Sequence, residues 1–168
     1  MQKITPFLWF EKNAEEAMQF YTSIFSAAPH GKDSKIIEIT RYPENSEGPM
    51  KGFDGKVLNG IFELNGQRFI ALDGGPGVFN FTGAISFIID CENQEEVDYY
   101  WEKLSSDPAS EQCGWLKDKY GIYWQVIPKQ MMTLMSGSNP EKVARVTHEM
   151  LQMKKIDIKK LQEAYDND

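Results

Sequence analysis

The run Phe69-Ile70-Ala71-Leu72-Asp73-Gly74-Gly75-Pro76-Gly77 has the residue types of a strand ending in a glycine-rich turn, the arrangement that can cradle a nucleotide or S-adenosylmethionine. That chemistry needs a helix to open directly after the glycines, so that its N-terminal amides meet the ligand. Here Val78-Phe79-Asn80-Phe81-Thr82-Gly83 follows without helical periodicity and leads into another strand-like run. The glycines therefore read as a turn between two segments, and no cofactor is expected from them. Asp73, Glu63 and Asp90 stand near strand ends and could supply oxygen ligands, but such carboxylates are commonly solvated. His30 follows Pro29 in a loop and His148 lies in a helical stretch, so each reads as a surface group. Cys91 and Cys113 share neither a C-x-x-C spacing nor a His-rich context, which argues for two free thiols in a reducing compartment and against zinc. No nucleophile stands in a recognisable pairing with a base.

The elements that must position these residues come in duplicate. Asn13-Ala14-Glu15-Glu16-Ala17-Met18-Gln19-Phe20-Tyr21 reappears as Asn93-Gln94-Glu95-Glu96-Val97-Asp98-Tyr99-Tyr100-Trp101, each copy preceded by a strand-like run. In both, an Asn can cap the first helical turn and a Glu pair sits where the helix dipole favours negative charge. Ala17, Phe20, Tyr21 and Ile24, matched by Val97, Tyr100, Trp101 and Leu104, give one apolar face per helix. After the first helix the pattern predicts a strand over 35–42, a loop over 43–55, and a hairpin of 57–64 and 67–73 around Asn65-Gly66, the dipeptide suited to a type I′ turn. The second copy predicts a strand over 84–90, a helix over 94–105, and a hairpin of 112–117 and 122–127 turning at Tyr120-Gly121. Beyond Pro128, Ser138-Asn139-Pro140 opens a helix bearing Val143, Val146, Met150 and Leu151, and Asp157 caps a last one through Leu161 and Tyr165.

At 168 residues, with 41% apolar residues, the chain has enough for a real core. A net charge of −7 repels phosphate backbones and anionic lipid, arguing against nucleic acid and membrane surfaces as partners. No apolar run approaches the roughly 20 residues of a membrane span, and no basic segment leads an apolar one, so a cytoplasmic location is the expectation.

Strand, helix and three strands, occurring twice, resemble the vicinal oxygen chelate superfamily of glyoxalase I, bleomycin-resistance proteins and extradiol dioxygenases. The runs Ile4-Thr5-Pro6-Phe7-Leu8-Trp9-Phe10, Phe62-Glu63-Leu64-Asn65-Gly66, Ala71-Leu72-Asp73-Gly74-Gly75, Gln112-Cys113-Gly114-Trp115-Leu116-Lys117-Asp118 and Trp124-Gln125-Val126-Ile127-Pro128 are similar to the PhnB-like family. That family is also described as 3-demethylubiquinone-9 3-methyltransferase, and the tail from Met150 to Asp157 is read as fitting it too. The resemblance implies an α+β fold of paired βαβββ modules, 1–75 and 83–129, within a single glyoxalase-like domain over 1–135, followed by a C-terminal helical extension over 136–168. It also implies four metal-ligand positions in the superfamily's metal enzymes, which fall here at Pro6, Ile70, Ser86 and Gln125. Pro and Ile carry no donor, and one Ser and one Gln cannot hold a divalent ion, so no metal is expected.

Strand alternation gives what a ligand could touch. Ile85, Phe87 and Ile89 are expected to pack on the helices, leaving Ala84, Ser86, Ile88 and Asp90 on the other face, together with Pro6, Leu8, Phe10, Ile70, Leu72, Tyr123, Gln125 and Ile127. The expected ligand-binding set is Leu8, Phe10, Ile70, Ser86, Tyr123 and Gln125, in the cleft that the resemblance implies for paired modules. Three classes remain: a metal-free binder of a small, partly apolar molecule, which is favoured; an enzyme of the superfamily with a non-standard site, such as a lyase, dioxygenase or methyltransferase; and a structural module. A homodimer is expected, because open sheet edges and apolar tail faces need burial and superfamily members commonly pair.

Overall fold

The computed structural model describes residues 2–167 and divides into two compact units, the first ending at Asn80 and the second beginning at Phe81. In the first unit β1 (Phe7–Phe10), α1 (Ala14–Ala27), β2 (Lys35–Arg41), β3 (Val57–Leu64) and β4 (Gln67–Asp73) form a four-stranded sheet of order β1-β4-β3-β2 under one helix. β1 lies parallel to β4, which a helical crossover permits, and the other pairs are antiparallel. The β3–β4 hairpin turns on Asn65 (φ 48°) and Gly66 (φ 83°), both left-handed as a type I′ turn requires. Met18, Tyr21 and Phe62 are fully buried in this unit's core. A Cβ on Gly60 would lie 2.6 Å from the Met18 sulfur, so glycine lets α1 approach the sheet.

The start of α1 departs from the sequence expectation. Asn13 makes no side-chain capping bond. The Asp73 carboxylate, at the end of β4, accepts from the Ala14 N–H at 2.8 Å and from the Val57 N–H at 2.9 Å. Asp73 is therefore no solvated strand-end group: it is 1% exposed and ties a helix start to two strands. The Tyr42 hydroxyl adds a bond to the Asp73 carbonyl at 3.1 Å. In the second unit the expected cap forms, Asn93 Oδ1 accepting from the Glu96 N–H at 3.0 Å.

That unit comprises β5 (Ser86–Cys91), α2 (Gln94–Leu104), β6 (Trp115–Lys117), β7 (Tyr123–Pro128) and the tail helices α3 (Lys129–Met135), α4 (Pro140–Leu151) and α5 (Ile158–Asp166). The sheet has three strands, β5-β7-β6, with no counterpart of β2 among the described residues. The expected strand over 112–117 is cut short because Cys113 (φ 49°) and Gly114 (φ 86°) make a tight turn bridged by Gln112 and Trp115. The Ser106 N–H donates to the Lys117 carbonyl at 3.0 Å, covering the β6 edge where a further strand would pair. Ile85 precedes the strand and is 74% exposed, so it does not pack on the helix as expected.

The tail is integrated with this unit. Ile127, Met131, Leu134, Val146, Met153, Ile156 and Leu161 form one buried cluster. Backbone bonds from Cys113 to Met153 (2.8 Å) and from Gly114 to Lys154 (2.7 Å) splice the tail onto the turn before β6. Gln94 donates to the Ile156 carbonyl and accepts from the Ile158 N–H, both at 3.0 Å. Asn139 and Asp157 cap α4 and α5 as the sequence suggested; α3 was not anticipated. Among the described residues no helix is long and apolar enough to cross a membrane.

Candidate functional site

Register decides which side chains share a face. In the first sheet Phe7 pairs with Ile70, Leu8 with Ala71 and Trp9 with Leu72, while Ile61 pairs with Ile70. Leu8 and Phe10 therefore stand with Ala71 and Asp73 on the α1 side, buried at 7% and 3%. This corrects the expected face of β1: its parallel pairing shifts the alternation by one residue relative to β4. The open face instead carries Phe7, Trp9, Ile61, Ile70 and Leu72. Trp9 is fixed there by an Nε1–H bond to the Gly75 carbonyl at 3.0 Å and an edge contact with Phe79, ring centroids 5.1 Å apart. Of the expected first-unit set, Ile70 alone remains on this face.

In the second sheet the expected parity holds for Ser86, Ile88, Tyr123 and Gln125, whereas Ile127, expected on the same face, is buried at 5% in the cluster formed with the tail. Ser86 pairs with Tyr123 and Ile88 with Gln125 across β5 and β7, and Lys117 pairs with Tyr123 and Trp115 with Gln125 across β6 and β7. The open face is thus two rows of three, Ser86-Tyr123-Lys117 and Ile88-Gln125-Trp115. Gln125 Nε2 donates to Ser86 Oγ at 2.9 Å, joining two of the expected residues directly. The Lys117 ammonium lies 5.9 Å from the Tyr123 ring centroid and 3.5 Å from Asp107. The Ser110 hydroxyl and Ala109 amide, with Lys117, hold the Asp107 carboxyl below the usual range. Trp115 and Lys117 belong to a run that carries the family resemblance but are not among the expected ligand-face residues; the β6–β7 register places them opposite Gln125 and Tyr123.

Behind this face, Asp118 is 2% exposed. Its carboxylate accepts from the Tyr120 and Ile122 amides at 2.9 and 3.0 Å and from Trp124 Nε1 at 2.8 Å, locking the β6–β7 turn. Cys91 is fully buried; burial, with nearby Glu96, pushes its thiol up to about 12, so it is neutral and inert. A cavity of about 430 Å³ lies beside the α1 N-terminus, lined by charged groups such as Lys12, Glu15 and Arg41. Another of about 610 Å³ lies between the start of α2 and α5. None of the six expected residues lines either.

Neither group suggested by the fold fits the residues present. At the metal positions Pro6 and Ile70 offer hydrocarbon, which leaves only Ser86 Oγ and Gln125 Oε1, too few oxygens to hold a divalent ion. Among the described residues no group of three or more His, Cys, Asp or Glu could hold a metal. The glycine turn after β4 is filled by its own protein: a Cβ on Gly74 would lie 2.2 Å from the Trp9 ring, and the Gly75 carbonyl is occupied by Trp9 Nε1. No helix opens before the strand at Ser86, so the turn offers S-adenosylmethionine no helix N-terminus.

A model of the 3-demethylubiquinone-9 3-methyltransferase family matches residues 2–127. Among solved structures, a PhnB protein from Bacillus cereus, named for a 3-demethylubiquinone-9 3-methyltransferase, is 44% identical, with a TM-score of 0.60. The match covers 76% of this chain and 99% of that one. A protein from Pseudomonas aeruginosa shares the fold at 16% identity and a TM-score of 0.58, over 76% of this chain and 98% of its own. No curated protein matches the chain. The family match ends at Ile127, so the tail from Met150 to Asp157 lies outside it.

Proposed function

We propose, because this chain belongs to the 3-demethylubiquinone-9 3-methyltransferase (PhnB-like) family, that it is a glyoxalase-like protein which binds a small, partly apolar molecule without metal or S-adenosylmethionine. The observation that carries this reading is the Gln125–Ser86 bond on an open sheet face. It uses one amide proton and the Ser86 oxygen, while the Ser86 proton and the Gln125 carbonyl remain available to a ligand. Tyr123 stands beside them, and Ile70 belongs to the apolar open face of the first unit; Leu8 and Phe10 support that sheet from its core. Pockets for small molecules have this composition, mostly apolar with a few placed polar groups. Neither histidine joins them: His148 is paired with Gln152 at 2.8 Å on α4, and His30 is an exposed loop residue.

The test is a ligand-observed NMR fragment screen on the protein and on Gln125→Leu, which keeps size while deleting the amide. Fragments bound by the protein should lose on the order of 1–3 kcal/mol in the variant. Undiminished binding would refute the assignment of Gln125. A second reading, pairing with another copy of the chain, is favoured by Ile85 and Ile88, 74% and 59% exposed. It predicts a dimer mass by light scattering, and a concentration-independent monomer would remove it.

A further inference from the structure

The six-residue face of the second sheet is unevenly supplied with hydrogen-bonding groups, and the imbalance bears on what it can hold. Ser86 Oγ already accepts from Gln125, so its hydroxyl has a proton to give. Lys117 can only donate, and its contact with Asp107 at 3.5 Å is too long to be a strong hydrogen bond. The Asp107 oxygens are meanwhile engaged by the Ser110 hydroxyl at 2.8 Å and the Ala109 amide at 3.2 Å. Tyr123, whose residue pairs with both Ser86 and Lys117, adds a hydroxyl to this row. The first row is thus a line of donors containing one cation. The second row, Ile88-Gln125-Trp115, is mainly apolar, with Ile88 59% exposed.

From this geometry, and resting on the small-molecule reading above, we infer that the ligand is a planar aromatic or unsaturated carboxylate. Its acid group meets Lys117, Tyr123 and Ser86, and its ring lies over Trp115, Gln125 and Ile88. Three strands at about 4.8 Å spacing and two rows at about 7 Å give a face of roughly 10 by 7 Å, suited to a body of one or two rings. Asp90, opposite Ile127 at the far end of β5, sets the orientation. That end of the face offers a carboxylate and no cation among the described residues, so the anionic end belongs at Lys117, whose ammonium it shares with Asp107 at 3.5 Å. A carboxylate there gains a charge-assisted bond that a neutral or cationic analogue of the same ring cannot make.

Three probes with one ring system separate the inference from the reading beneath it: 2-naphthoate, 2-naphthylmethanol and 2-naphthylmethylamine, titrated into the full chain at neutral pH and followed by ligand-observed NMR and tryptophan fluorescence. Naphthoate should bind about tenfold or more tighter than the amine, with the alcohol between. Lys117→Met should weaken naphthoate at least fivefold and leave the alcohol within twofold, and Lys117→Arg should restore most of the loss. Equal binding of the three probes, with sensitivity to Gln125→Leu, overturns the carboxylate inference and keeps the small-molecule site. Naphthoate affinity unchanged in a folded Lys117→Met also overturns the inference. Binding of none of the probes or the fragments overturns both.

Discussion

Replacing Asp73 by Ala removes the acceptor of two backbone amides, those of Ala14 and Val57, at 2.8 and 2.9 Å. Both donors belong to residues almost completely buried, at 0% and 1% exposure, so water cannot readily take the place of the carboxylate. A hydrogen bond to a charged group contributes about 1.5–3 kcal/mol, and an orphaned buried donor retains its desolvation cost. The two losses share one side chain and are not fully additive, which puts Asp73→Ala at about 3–5 kcal/mol. Asp73→Asn keeps one acceptor oxygen but turns an NH₂ toward the other amide, and should cost about 2 kcal/mol. The internal control is the duplicated pair: Asn93→Ala should cost about 1 kcal/mol, the usual value of a lost cap, whereas Asn13→Ala should cost a few tenths at most. Urea titration read by hydrogen exchange of the α1 and α2 peptides assigns each loss to its own unit. A cost below about 1 kcal/mol for Asp73→Ala, or equal costs for the two asparagines, would show that the clasp does not carry the start of α1.

Asp118→Asn should destabilise the second unit by about 2 kcal/mol, seen as an earlier urea midpoint, since its carboxylate satisfies two amides and the Trp124 indole. Cys91, with its thiol held near 12, should resist iodoacetamide at pH 8 in the native protein and react after unfolding; mass spectrometry decides. Glu15, through its hydrogen bonds to Arg41, and Glu111, through Ser105, titrate below their ordinary value of 4.5. Their contribution is therefore complete above that value and lost as pH falls through the lower folded values. A thermal midpoint flat between pH 6 and 8 and falling below about 4.5 is expected. Chelator should leave the midpoint unchanged, and elemental analysis finding about one metal per chain would contradict the reading of Pro6 and Ile70 as ligandless positions.

Much of the architecture was legible because its signals are local. Asn65-Gly66 determines its own turn, and Asn139-Pro140 and Asp157 announce helix starts that the structure contains. Errors came where the deciding contact is remote in sequence. Asn13 and Asn93 sit in matching motifs, yet only the second caps, because Asp73 reaches the first helix from β4. The face of Leu8 depends on how β1 is registered against β4, which alternation within one strand cannot supply. Trp115 and Lys117 belong to the candidate site through strand pairing alone, and the truncation of their strand follows from the left-handed backbone of Cys113 and Gly114.

The two helix starts also differ in when they can be completed during synthesis. The cap of α2 comes from three residues away, so that helix can close its first turn as soon as it has been made. The acceptor for the first amide of α1 lies 59 residues downstream. Until β4 has emerged and paired, α1 has an open end and only its apolar face to hold it, and a short helix is marginal by itself. The earlier helix is thereby made to wait on distant chain, at the cost in rate that non-local contacts impose, while its younger copy is self-sufficient. A nascent chain halted before residue 73 should therefore protect α1 amides poorly, and one carrying β4 should protect them well.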